Sequence, residues 1–210
     1  MLSTRVNYPP ECEKVVNQTI EFLQSASLTY DLLGATCATE EISMPGFCNY
    51  YRLCSLRTRK MSEYLIKWQT MRGGKMNVTQ LNSLASSNEF WQQGLEKLVE
   101  LGVDIEKRIE EQLRHVYKVV KSKEDVATAE YVERKFLIPQ MIVIKMMVNH
   151  ANGLKLSGNH YIYDRKSMMR ESNQIHRFIK WCSTNGNCEK EKKEKNSCSN
   201  SIRAFTYPIV

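Results

Sequence analysis

The sequence is poor in the features that most often announce a function. No apolar run approaches the ~20 residues needed to cross a bilayer, and the opening Met1-Leu2-Ser3-Thr4-Arg5 leads into Val6-Asn7-Tyr8-Pro9-Pro10 without the apolar segment of a secretion signal. These absences argue against a helical membrane protein and predict a cytoplasmic one. Histidine is scarce. His115, His150, His160 and His176 are scattered and make no i,i+4 ligand pair. The seven cysteines (Cys12, Cys37, Cys48, Cys54, Cys182, Cys188, Cys198) include no C-x-x-C pair, so no zinc set is spelled out, and buried or free thiols are the expectation in a reducing compartment. Five prolines and nine glycines in 210 residues leave room for long uninterrupted helices.

What is present is helical periodicity. Residues 1–10 read as an extended arm. Helix one is expected over 11–38, with Val15, Val16, Ile20, Leu23, Ser27 and Tyr30 on one face. After a short loop with Pro45 and Gly46, helix two is expected from Phe47 to Met71, buried along its length by Phe47, Tyr50, Tyr51, Cys54, Met61, Tyr64, Leu65, Trp68 and Met71. Gly73-Gly74 stops it. Residues 73–87 carry no helical period and are long for a link between packed helices, as a crossover from one end of a bundle to the other must be. Helix three is expected over 88–121. Helix four is expected over 126–154, with Val132, Phe136, Ile142, Met146 and Met147 inward and a disturbance at Pro139. Gly158 allows a bend, and a shorter fifth helix is expected over 161–180. The fold class is all-α: a four-helix bundle with a long crossover, a short fifth helix and a C-terminal extension over 181–210.

Several motifs resemble ferritin in register. Arg72-Gly73-Gly74 resembles the Arg-Gly-Gly after ferritin's second helix, and Phe90-Trp91-Gln92-Gln93-Gly94-Leu95 the Trp-x-x-Gly-Leu opening its third. Tyr131-Val132-Glu133 and Leu137-x-x-Gln140 resemble Phe-Ile-Glu and Leu-x-x-Gln of the fourth, and Tyr161-Ile162-Tyr163-Asp164-Arg165 is similar to Tyr-Leu-Phe-Asp-Lys of the fifth. Pro10-Glu11-Cys12-Glu13-Lys14 and Arg52-Leu53-Cys54, with the long C-terminal extension, resemble the artemin branch, ferritin-related stress proteins of dormant embryos.

The resemblance implies where a ferroxidase centre would lie, and the residues there break the pattern. Such a centre needs carboxylates and an imidazole converging from the helices of the bundle. Leu23 stands at the first glutamate, Thr58 at the bridging glutamate and Met61 at the histidine. Tyr30, Glu106 and Gln140 match the family's tyrosine, carboxylate and glutamine. Arg57 and Lys60 occupy neighbouring acidic positions, where two cations repel ferrous iron. The expectation is no catalytic residue, no metal bound at these remnants and no enzyme activity. Glu130 and Glu133 match the acidic lining of ferritin's three-fold pore, or are two ordinary solvated glutamates.

Other groupings have plainer readings. Met61, Met71, Met141, Met146 and Met147 are expected as core filler rather than a copper site. Cys182, Cys188 and Cys198 with His176 have irregular spacing for zinc and better suit exposed thiols that form intersubunit or redox-linked bonds. The run of residues 189–195 alternates Lys and Glu and reads as a solvated segment. The resemblance implies a homo-oligomeric shell of twenty-four subunits, with residues 177–210 inside it in place of mineral. Three functions stay open: a non-enzymatic cage acting as stress or storage protein that holds client proteins, an iron-storage subunit without its own ferroxidase site, and a basic cage (net charge +7) that binds RNA.

Overall fold

A computed structural model describes residues 3–86, 94–185 and 200–206. Among these residues the regular structure is entirely helical. Four long antiparallel segments form the bundle: α1 (Pro10–Cys37), α2 (Pro45–Met71), α3 (Leu95–Ser122), and a composite of α4 (Val126–Val132), a π-helical turn (Glu133–Leu137) and α5 (Ile138–Ser157). Then come α6 (His160–Tyr163), a second π-helical turn (Asp164–Met168), α7 (Met169–Asn185) and α8 (Asn200–Thr206). The two first helices pack most extensively on each other, α1 and α5 both pack on α3, and α7 packs on α2.

Proline opens both α1 and α2, where its missing N–H is no loss and its fixed φ suits the first turn. The N-terminus of α2 is closed from a distance. The carboxylate of Asp164 accepts from the backbone N–H of Gly46 at 2.9 Å and of Phe47 at 2.8 Å, so the fifth-helix region caps the second helix. At the other end Gly73 takes the left-handed φ of +77°. Arg72 holds this end against two others. Its guanidinium donates to Asp125 Oδ1 at 2.8 Å and Thr128 Oγ1 at 3.0 Å, and to the carbonyls of Val6 and Asn7. It lies between the rings of Tyr8 and Trp68. The Arg-Gly-Gly motif thus ties the N-terminal arm to the start of the fourth helix.

Residues 72–86 cross the bundle along α1, as the length of that stretch predicts. Glu13 accepts from the backbone N–H of Lys75, Asn17 bonds the backbone of Lys75 and Asn77, and Thr29 accepts from that of Leu84. From Glu13 to Thr29 is roughly 24 Å of helix at ~1.5 Å per residue. The Phe90–Gln93 part of the third-helix motif lies outside the described residues.

Three expectations are corrected. Met71 and Met141 are 59% and 58% exposed, so only Met61, Met146 and Met147 of that set fill the core. The inward face of the fourth segment runs through Val132, Phe136, Gln140, Val143, Met147, His150 and Leu154, with Val143 buried where Ile142 was expected. The cause is local. Pro139 offers no N–H, and Ile138 reaches back five residues to the Glu133 carbonyl; the wider turn rotates all that follows. The fifth helix starts at His160, includes a π turn and continues to Asn185, across the expected boundary at 180/181.

Four cysteines, Cys12, Cys37, Cys48 and Cys54, are buried free thiols. Cys182 is disulfide-bonded, which removes it from the free-thiol and zinc readings. The run 189–195, with Cys188, Cys198 and residues 207–210, lies outside the described residues, and with it the basis of the zinc and RNA readings. Among the described residues no helix is long and apolar enough to cross a membrane.

Candidate functional site

The inward stripe of α2 passes through Tyr50, Cys54, Arg57 and Met61, spaced by four, three and four residues, and all four are buried. It therefore delivers a guanidinium to the middle of the bundle. Arg57 is 1% exposed and Glu106, facing it from α3, is 0% exposed. Arg57 Nη2 donates to both carboxylate oxygens of Glu106, at 2.6 and 2.5 Å, and Nη1 donates to Gln140 Oε1 at 3.0 Å. Gln140 Nε2 donates to Glu106 Oε2 at 2.6 Å and to the Glu106 carbonyl at 3.0 Å. From α1, the Tyr30 hydroxyl donates to Glu106 Oε1 at 2.6 Å. Four helical segments thus close one network around one carboxylate.

The remaining predicted positions do not join this network as ligands. Leu23 and Met61 are buried apolar side chains. The Met61 sulfur accepts from Arg57 Nη1 at 3.4 Å. Thr58 is buried, but its hydroxyl turns back to the carbonyls of Cys54 and Ser55, a common resting place for threonine inside a helix. Lys60 does not enter the centre. It pairs with Glu63 at 2.7 Å on the surface, so only one of the two cations expected near the site is part of it.

The electrostatics follow from burial. Burial works to strip the proton from Arg57, but Glu106 outweighs it, and the guanidinium is held above its usual value. Burial pushes the Tyr30 hydroxyl well above the usual phenol range, and the Glu106 carboxylate adds to this. Cys54 is raised by burial and by Glu106. The centre therefore holds one fixed positive and one fixed negative charge among neutral groups. Its donor set does not suit a metal ion: the single carboxylate has both oxygens engaged, and a guanidinium has no lone pair to give and carries the wrong sign. Among the described residues no group of three or more His, Cys, Asp and Glu side chains is placed to hold a metal.

The end of the chain also reaches this centre. Ile202, Phe205 and Thr206 of α8 are buried against the bundle, mostly on α5 and α7. The Phe205 ring lies 5.6 Å from that of Tyr50 and 5.5 Å from the Arg57 guanidinium carbon. Glu130 and Glu133, by contrast, lie outside the centre, exposed near the start of the fourth segment. Glu130 pairs with Arg134 at 3.1 Å, and both glutamates line a surface hollow with Tyr117, Lys121 and Arg134.

The Ferritin-like domain family matches residues 13–157, more than half of the chain. The chain belongs to the ferritin family. It is 27% identical over 171 residues to the soma ferritin of Lymnaea stagnalis, covering 80% of this chain and 97% of that one. The middle ferritin subunit of Salmo salar is 24% identical over 174 residues, with coverage of 80% and 97%. Chloroplastic ferritin-2 of Glycine max is 30% identical over 155 residues, covering 73% of this chain and 60% of the plant protein. The chain thus spans about three fifths of the chloroplastic relatives it matches and nearly all of the two animal ones.

Within this ferritin fold, the structure brings Tyr30, Glu106 and Gln140 together with Met61 at the edge of the network, buries Leu23 and Thr58 in the core, and adds Arg57 and Phe205. Arg57 was legible in principle, because it keeps the stripe of Tyr50, Cys54 and Met61; reading it as a neighbour of the site ignored that spacing. Phe205 had no signal, since a seven-residue helix is too short to show a period.

Proposed function

We propose that this chain is the subunit of a ferritin-like cage that has no ferroxidase centre of its own. The observation that carries the reading is the buried Arg57–Glu106 pair, with a guanidinium where catalysis would need a metal. Iron could enter only if Arg57 left, which would strand Glu106 in the core at a cost of about 3–5 kcal/mol. On this reading the protein is not an enzyme and assembles as a closed shell of twenty-four copies; the filling of that shell by residues 177–210 rests in large part on residues outside the described ones. Its role is that of a stable storage or stress protein that holds clients, as in the artemin branch. Phe205 is buried against Tyr50 and Arg57 of the same subunit, so the described end of the chain docks on its own bundle.

The test is aerobic addition of ferrous iron to the purified assembly. Oxidation at the buffer rate with no retained core is the expected result. Catalysed oxidation with a retained core would overturn the reading. A second reading, iron storage fed by other subunits, rests on Glu130 and Glu133; retained iron without catalysed oxidation would favour it. The Glu130–Arg134 pair weakens it by offsetting one of the two charges.

A further inference from the structure

We infer that Tyr163 is a redox-active tyrosine, built to give one electron to a diffusing one-electron oxidant while His150 takes its proton. The Tyr163 hydroxyl meets a prepared partner. The Tyr163 oxygen lies 3.0 Å from His150 Nδ1. The other ring nitrogen, Nε2, lies 3.1 Å from Glu171 Oε2. A carboxylate at Nε2 holds the proton there, which leaves the Nδ1 lone pair free to accept from the phenol. His150 is 7% exposed, so this orientation is fixed by packing. The backbone is shaped to the same end: a Cβ at position 153 would stand 2.6 Å from the Tyr163 oxygen, so Gly153 supplies the room for it.

Oxidation of a phenol is costly when its proton has nowhere to go. Here the O–H bond breaks, one electron passes to the oxidant and the proton moves to Nδ1. The oxidant is reduced by one electron. The products on the protein are a neutral phenoxyl radical and an imidazolium facing the Glu171 carboxylate. A small thiol restores the phenol: it gives one electron and leaves as a thiyl radical, its own proton passing to solvent, while the imidazolium returns its proton to the phenolate oxygen. The oxidant class is the radical made when peroxide meets ferrous iron. Tyr163 also ends a row of rings leading to the centre: Phe47 lies 6.4 Å away, Tyr51 6.2 Å beyond it, and Tyr30 a further 6.1 Å.

The test is photochemical oxidation of the full-length assembly by a ruthenium tris-bipyridine and persulfate pair, with a nitroso spin trap and peptide mapping of the adducts. Tyr161 is the internal control: it is 55% exposed, more than Tyr163, and has Arg165 over its ring, with no histidine hydrogen-bonded to it among the described residues. The expected result is adduct on Tyr163 in preference to Tyr161, with most of it lost in His150→Gln, which keeps a hydrogen-bond acceptor but cannot take the proton. Tyr163→Phe should retain the melting temperature while losing that adduct. Labelling that follows exposure, with Tyr161 equal to or above Tyr163, would overturn the inference in the wild-type protein alone. So would undiminished labelling of Tyr163 in a folded His150→Gln.

Discussion

Removing the guanidinium while leaving its partner tests the account of the centre most directly. In Arg57→Met the Glu106 carboxylate keeps two neutral donors, Tyr30 and Gln140, but loses its only cation and its two shortest contacts to it. Both side chains of the pair are at most 2% exposed, so solvent does little to screen the loss. Breaking a buried pair from one side costs about 3–5 kcal/mol, because an uncompensated charge remains. For a chain of this size each kcal/mol moves the melting temperature by about 2–4 °C, so the expected fall is roughly 6–20 °C. Glu106→Gln added to Arg57→Met removes the stranded charge and keeps an acceptor for Tyr30, so the double variant should regain most of the loss. Calorimetry on the assembled proteins, at one scan rate and protein concentration, reads both. A melting temperature for Arg57→Met equal to the wild type's would refute the reasoning, and a double variant no better than the single would show that charge is not what Arg57 supplies.

Restoring ligands gives a functional counterpart. Leu23→Glu, Thr58→Glu and Met61→His together should leave ferrous oxidation at the buffer rate while Arg57 stays, and raise it only when Arg57→Ser is added; oxygen uptake after iron addition separates the two. Burial raises Tyr30, Tyr50 and Tyr51 well above the usual phenol range, and Tyr8 above it as well. A phenol raised on folding stabilises the protein below its unfolded value of about 10 and withdraws that contribution as pH rises beyond it, so stability should fall steeply in that window. An ultraviolet titration should then show these four tyrosines ionising only as the protein unfolds; smooth ionisation with the exposed tyrosines would contradict their burial. Phe205→Ala removes a fully buried ring, worth about 3–5 kcal/mol where the site cannot collapse. Because α8 is short it should detach locally, so limited proteolysis should cut near residue 200 with the bundle intact; unchanged resistance would show that Phe205 does not seat the helix.

The bundle was legible because its signals are long and periodic. The stripe of α3, from Leu98 and Val99 to Val120, is buried as its spacing predicts, and the Gly-rich stop after Arg72 falls where the chain turns. Position within the bundle was legible in part: Tyr30, Glu106 and Gln140, chosen from motif register, meet in one hydrogen-bonded network. The misses share a physical cause. A π turn adds one residue to a helix and leaves no period of its own, so Pro139 predicted a disturbance but not the rotation that buries Val143. The Asp164 cap of α2 joins residues 117 or 118 apart in sequence. Direction was the harder matter at Arg57: motif register sets it with Lys60 as a neighbouring cation, whereas its spacing from Tyr50, Cys54 and Met61 points into the centre and that of Lys60 does not.

That arginine also explains how this bundle keeps polar groups in its middle and stays folded. The middle of four helices contains a carboxylate, a phenol and an amide, which desolvation makes expensive unless each finds a partner. Leu23, Thr58 and Met61 fill volume in the core but supply no positive charge. Without Arg57 the bundle would strand Glu106, at about the 3–5 kcal/mol estimated for Arg57→Met. Arg57 provides the charge from within α2 itself, and Gln140 and Tyr30 direct the carboxylate towards it. On the proposed reading, adding ligands alone would not give iron chemistry, because each new carboxylate would be drawn to a guanidinium already in place before it could serve a metal.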